Sequence, residues 1–145
     1  MATSNIRVLI PCDIRIVWQV VTAVENCAWR SDLSKTEIIS DTQFIEYTTG
    51  GYLTTFTITA SDPYRRWEFD MENSNMKGHW TGIFTEKDGQ VEIDFTENVT
   101  AKKLFMKPFV KGFLRKQQEQ YISDLKKALQ NDSDTPTKKQ SGIDR

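Results

Sequence analysis

Glu97 is the residue of this 145-residue chain whose setting most invites chemistry. From Arg65 to Thr100, alternation puts Trp67, Phe69, Met71, Trp80, Phe84, Val91, Ile93 and Phe95 on one side of a sheet, and Glu97 shares their phase. An ionised carboxylate stripped of water is costly unless it is paired. A carboxyl enclosed on that face must therefore either carry a raised pKa or meet a donor, and there it could move a proton or orient a polar group. If its strand end lies at a rim instead, Glu97 is simply solvated.

The other groups with chemical potential are weaker. His79 is the only histidine, and its parity places it on the outer face, opposite Asn98, away from the aromatic side. The sequence brings together no Ser/His/Asp or Cys/His arrangement for nucleophilic catalysis. Glu68, Asp70, Glu72, Glu92 and Asp94 also fall on the outer face, where they read as the solvated side of an antiparallel sheet. No metal or cofactor is implied.

The inner face is strongly aromatic yet carries Gly78 and Gly82, which supply no bulk. With Trp67 and Phe95 on either side, Gly82 leaves room for the floor of an apolar pocket. Of the four tryptophans, Trp18 sits among Val and Ile on a helix and reads as packing, whereas Trp29, Trp67 and Trp80 are pocket candidates.

The elements that must position these residues follow from periodicity. Ile6, Val8 and Ile10 mark a strand from Ser4 to Ile10, closed by Pro11. Asp13 is placed to cap a short helix through Val24, and Asn26 to Ser34 reads as a second short helix. Period-two strands follow at Lys35 to Ser40, Thr42 to Thr48, Tyr52 to Ser61, Arg65 to Asn73, Met76 to Thr85 and Gln90 to Ala101, with turns at Gly50-Gly51, Asp62-Pro63, Ser74-Asn75 and Asp88-Gly89. Two-residue turns at Ser74-Asn75 and Asp88-Gly89 pair Gly82 with Trp67 and Phe95, and Trp80 with Phe69 and Glu97. A long amphipathic helix from Leu104 to Gln130 ends the pattern. Its apolar stripe takes in Phe109, Val110, Phe113, Leu114, Tyr121, Leu125 and Leu129, and Pro108 calls for a kink or a fresh start. Residues 131–145 read as a disordered polar tail after a single domain over 1–130.

Net charge is −1, which argues against a nucleic-acid binder. Charge is nonetheless polarised: residues 1–101 carry 8 Lys/Arg against 15 Asp/Glu, while 102–129 carry 8 against 2. The basic final helix supports solubility and its own C-terminus, or a transient contact with an anionic membrane. Cys12 and Cys27 form no close Cys pairing motif and no His/Cys cluster in the sequence, which suits a cytoplasmic location. The apolar run Ile6 to Ile10, interrupted by Arg7, is too short for a secretory or spanning segment.

Ile10-Pro11-Cys12-Asp13, Val17-Trp18, Trp29, Asp62-Pro63-Tyr64-Arg65-Arg66, Gly78-His79-Trp80-Thr81-Gly82 and the closing helix, in this order of elements, resemble the START-type helix-grip superfamily (SRPBCC), and within it the polyketide cyclase/dehydrase and lipid-transport group. The resemblance covers Ile6 to Leu129 in outline. It implies an α+β helix-grip fold: a curved antiparallel sheet of about seven strands around the C-terminal helix, with an apolar cavity between them. The short turns leave no room for an insert, which argues against a sterol-sized or two-chain lipid cargo.

The leading expectation is binding of a small apolar or amphipathic molecule such as a lipid, polyketide-like or aromatic compound, with its transport as an extension of that role. Trp29, Phe56, Trp67, Phe69, Trp80, Phe95, Phe109 and Phe113 would line the cavity and Glu97 would orient a polar group. Two alternatives stay open: an enzyme of the cyclase or dehydratase kind using Glu97, and a protein-interaction module resembling chaperone activators of the same superfamily.

Overall fold

The computed structural model describes the backbone of residues 1–139 and the side chains of residues 1–130. Strand β1 (Ala2–Ile10) leads into helix α1 (Ile14–Thr22), followed by β2 (Leu33–Ile38), β3 (Gln43–Thr48), β4 (Leu53–Asp62), β5 (Arg66–Glu72), β6 (Met76–Lys87) and β7 (Gln90–Ala101). A single 3₁₀ turn at Leu104–Met106 then precedes α2 (Lys107–Lys139). The expectation of a tail over 131–145 falls on residues whose side chains, and from 140 whose backbone, lie outside the described residues.

The strands form one seven-stranded antiparallel sheet in the order β1-β7-β6-β5-β4-β3-β2. Its reversals fall where residue types permit them. Asp88 and Gly89 both take positive φ, 52° and 80°, the geometry of a two-residue hairpin turn. Asn73 Oδ1 accepts from the backbone N–H groups of Asn75 and Met76 and so closes the β5–β6 turn. These turns set the register anticipated from parity: Gly82 opposite Trp67 and Phe95, Trp80 opposite Phe69 and Glu97, and Phe84 opposite Ile93. A register shift between Ile58 and Ala60 in β4 helps the sheet coil.

Helix α1 begins where Asp13 accepts a bond from the Arg15 backbone, and it buries Val17, Trp18 and Val21. Trp18 is a packing residue, edge-on to Phe84 at 5.0 Å. Only one short helix is present here: residues 26–32 form a loop with turns, and Leu33 and Ser34 already belong to β2, in place of the second helix expected from the sequence. Two features account for this. Asn26 bonds its own neighbourhood, accepting from the Ala28 N–H, and Asp124 of α2 accepts from both the backbone N–H and the hydroxyl of Ser31 at 2.8 Å. Those bonds hold the segment as a loop against α2.

The sheet grips α2 through apolar and polar contacts. Val110, Leu114, Ile122, Leu125 and Leu129 are buried. Buried Gln118 donates to the carbonyls of Ser4 and Phe95 and accepts from the Ser4 hydroxyl at 2.6 Å, tying the helix to β1 and β7. Pro108 lies in the first turn of α2, where its missing N–H has no intrahelical acceptor to lose, so the fresh start is the outcome.

Candidate functional site

The inward side chains of the central strands form a ring-on-ring layer. Trp80 stacks on Phe69 at 4.9 Å and leans on Phe95 at 4.6 Å, while Trp67 stands edge-on to both Phe69 and Trp80. Phe56 stacks on Phe44 at 4.8 Å. Gly82 does not leave an open floor between rings: the Trp80 indole folds over it and fills that space. The space that persists lies between this layer and α2, a cavity of about 210 Å³ reached by Phe113, Leu114, Gln117 and Tyr121 from the helix side.

One end of the cavity is polar, and it is built by the loop after α1. Arg30 grips Asp32 through Nε and Nη2 at 3.1 and 3.0 Å and reaches Glu46 through Nη1 at 3.4 Å. Its guanidinium lies 4.8 Å from the Tyr121 ring and 5.7 Å from that of Trp29, and these two rings meet edge-on. Burial alone would lower the Arg30 pKa, but the carboxylate of Glu46, the Tyr121 phenol and Asp32 outweigh it and the guanidinium is held firmly charged. Burial likewise raises Tyr121, and raises Glu46 in spite of Arg30.

Glu97 lies in the wall of the same cavity, 8% exposed, and accepts no hydrogen bond among the described residues. Burial pushes its pKa up to about 7; Arg30 pulls it down and Glu46 pushes it further up. A carboxyl near half-protonation at neutral pH can donate or accept a proton, and it retains unused hydrogen-bonding capacity.

The structure brings together Trp29, Phe56, Trp67, Phe69, Trp80, Phe95 and Glu97 around this cavity, with Phe113 at its edge and 44% exposed. Phe109 is not among them. It is 71% exposed, because the buried row of α2 runs through Val110, Leu114 and Gln118, and one residue of helix turns a side chain by about 100°. Arg30, Asp32, Glu46 and Tyr121 are cavity residues that the sequence reading did not single out as a site. A signal existed for Glu46, which shares the phase of buried Phe44 on β3; none existed for Arg30, which lies in a loop.

His79 stays on the outer face, bonded through Nδ1 to Asp70 and through Nε2 to Glu68, each at 2.7 Å. It takes no part in the cavity.

Residues 1–130 match the family model described as polyketide cyclase / dehydrase and lipid transport. Among curated proteins there is no match. Solved structures share the fold at low identity. A START superfamily protein from Mycobacterium smegmatis is 12% identical with a TM-score of 0.78, the alignment covering 90% of this chain and 99% of that one. A conserved protein from Geobacillus kaustophilus is 10% identical with a TM-score of 0.77, covering 89% and 95%. Protein XoxI from Bacillus cereus is 11% identical with a TM-score of 0.76, covering 90% and 97%. The seven-stranded sheet closed on its terminal helix and the match over nearly the whole chain agree, and the protein belongs to the polyketide cyclase/dehydrase and lipid transport family.

Proposed function

We propose that the protein binds a small amphipathic molecule in the cavity between sheet and α2, its apolar body against Trp67, Phe69 and Trp80 and a hydrogen-bonding group toward Glu97. The observation that carries this reading is Glu97 itself: a deeply buried carboxyl, facing the cavity, with no hydrogen-bond partner among the described residues. Buried polar groups are overwhelmingly satisfied in folded proteins, so a molecule that completes this one gains the bond the protein withholds.

Size and charge narrow the ligand class. A cavity of 210 Å³ corresponds to roughly seven water volumes, below the usual range for drug-sized ligands. It suits a single ring or a short chain, not a sterol or a two-chain lipid. At its polar end one guanidinium faces the carboxyl groups of Asp32, Glu46 and Glu97, and that guanidinium is already committed to Asp32 and Glu46. A neutral or cationic donor fits this balance, and a carboxylate does not.

The proton-transfer reading has one observation of its own, the Glu97 pKa near neutrality, which is where a general acid or base works best. The two readings separate by experiment. Titrating the protein with benzylamine, benzyl alcohol and benzoate, read from the indole N–H resonances of Trp67 and Trp80, tests the binding reading. The amine and alcohol move those resonances at concentrations at least about tenfold below benzoate, and Glu97→Gln abolishes the amine preference while leaving benzyl alcohol bound. Indole resonances unmoved by every probe refute the binding reading, and turnover of a bound substrate that vanishes in Glu97→Gln favours catalysis.

A further inference from the structure

We propose that the 3₁₀ turn and the first turns of α2 form a docking surface for an anionic bilayer, with Leu104, Phe105 and Phe109 entering the headgroup layer and the surrounding cations meeting lipid phosphates. Leu104, Phe105 and Phe109 are 78%, 74% and 71% exposed. Water-facing aromatic and aliphatic side chains this close together mark an interaction site. Phe109 and Phe113 stand four residues apart on one flank of α2, and Lys116 continues the same flank, three residues beyond Phe113.

Charge selects the partner. From 98 to 118 the chain carries six cations and no Asp or Glu. Lys102 is bonded to Glu72 and Arg115 to Glu119, while Lys103, Lys107, Lys111 and Lys116 are exposed and make no ion pair among the described residues. Projecting apolar side chains inside a field of uncompensated cations are the composition of a segment that lies in an anionic interface. A bilayer receives separate projecting rings without the shape complementarity that a folded partner would need. Among the described residues no helix is long and apolar enough to cross a membrane, so the contact is with its surface. Phe113 shares this flank and also lines the cavity, so docking brings the helix-side wall of the cavity to the lipid. The surface stands on its own exposure and charge, whatever the cavity holds.

The test uses the full chain, sedimented with phosphatidylcholine vesicles with and without phosphatidylserine. Binding is expected only to the anionic vesicles and weakens as salt rises. Replacing Leu104, Phe105 and Phe109 together by Ser weakens it about tenfold or more, and so does Lys103→Glu with Lys107→Glu and Lys111→Glu; circular dichroism verifies that both variants fold. Absence of binding to anionic vesicles, or undiminished binding by the Ser variant, overturns the proposal. A wild-type dimer that the Ser variant dissociates also overturns it, because the face is then an interface between copies. Affinity for benzyl alcohol in vesicle-free solution is expected to be unchanged in both variants, so failure at the membrane is distinguishable from failure of the cavity reading.

Discussion

The Trp80 indole covers Gly82 so closely that a β-carbon at residue 82 would lie 2.5 Å from Cη2 and 2.6 Å from Cζ3 of the ring. The ring cannot swing away cheaply, since Phe69 stacks on it and Phe95 leans against it. Gly82→Ala is therefore expected to destabilise the fold by about 1–3 kcal/mol, the range for overpacking a core. It also pushes the indole toward the cavity. Urea denaturation and benzyl alcohol titration of the variant measure the two effects, and a variant as stable as the parent would show that the stack yields freely.

Glu97 makes stability depend on pH with a definite sign. Its folded pKa of about 7 lies above the ordinary 4.5, so the protonated form favours the folded state. That contribution is fully present below about pH 4.5, declines as pH rises and is gone above about 7. The difference corresponds to roughly 3 kcal/mol as an upper bound. Glu97→Gln removes this slope and leaves the protein at least as stable as the parent above neutrality. Unfolding midpoints across the window test it, and parallel curves for parent and variant would contradict a raised pKa.

Parity along the strands made much of this legible. The pairs Trp80 with Glu97 and Gly82 with Phe95 follow from two turns whose residues admit one compact geometry, and a slip of one residue would have put the aromatics in water. What parity could not supply is direction within a face. Knowing that Gly82 lies between Trp67 and Phe95 does not reveal that the Trp80 ring bends over it, because rotamers follow packing in three dimensions. The same limit separates Phe109 from Val110 on α2: both belong to an apolar stripe, and only the place where the sheet ends beneath the helix decides which is buried. Arg30 was hidden for another reason. Loop residues have no periodicity, and its role arises from Glu46, Asp32 and Tyr121, up to 91 residues away in sequence.

Arg30 is the residue that makes the polar end of the cavity tolerable. Arg30→Met leaves Asp32 and Glu46 without their cation, and removing one member of a buried pair costs roughly 3–5 kcal/mol. Combining it with Glu46→Gln removes the more buried of the stranded charges and is expected to recover a large part of that loss. Arg30→Lys keeps the charge but loses the two-pronged grip on Asp32, and falls between. A double-mutant cycle by chemical denaturation gives the coupling; additive losses would mean that Arg30 and Glu46 do not act as a pair.

His79 supplies a second, separable pH dependence on the opposite face of the sheet. Partial burial lowers its pKa, but hydrogen bonds to Asp70 and Glu68 outweigh that and leave it above 6.5. Its stabilisation is thus complete below 6.5 and is lost as pH rises through the folded value. Glu68 is shifted the other way, held below 4.5 by hydrogen bonds from Arg66 and His79, so its contribution is present above 4.5 and lost as pH falls through its folded value. The cluster is strongest between those limits. In a background carrying both Glu97→Gln and Glu46→Gln, which silences the two interior carboxyls whose pKa burial raises, the remaining decline of stability above neutral pH belongs to His79. Adding His79→Gln is expected to abolish that decline, lowering stability in mildly acid solution and leaving it unchanged in alkali. An imidazole pKa at or below 6.5 by NMR would remove the basis for this assignment.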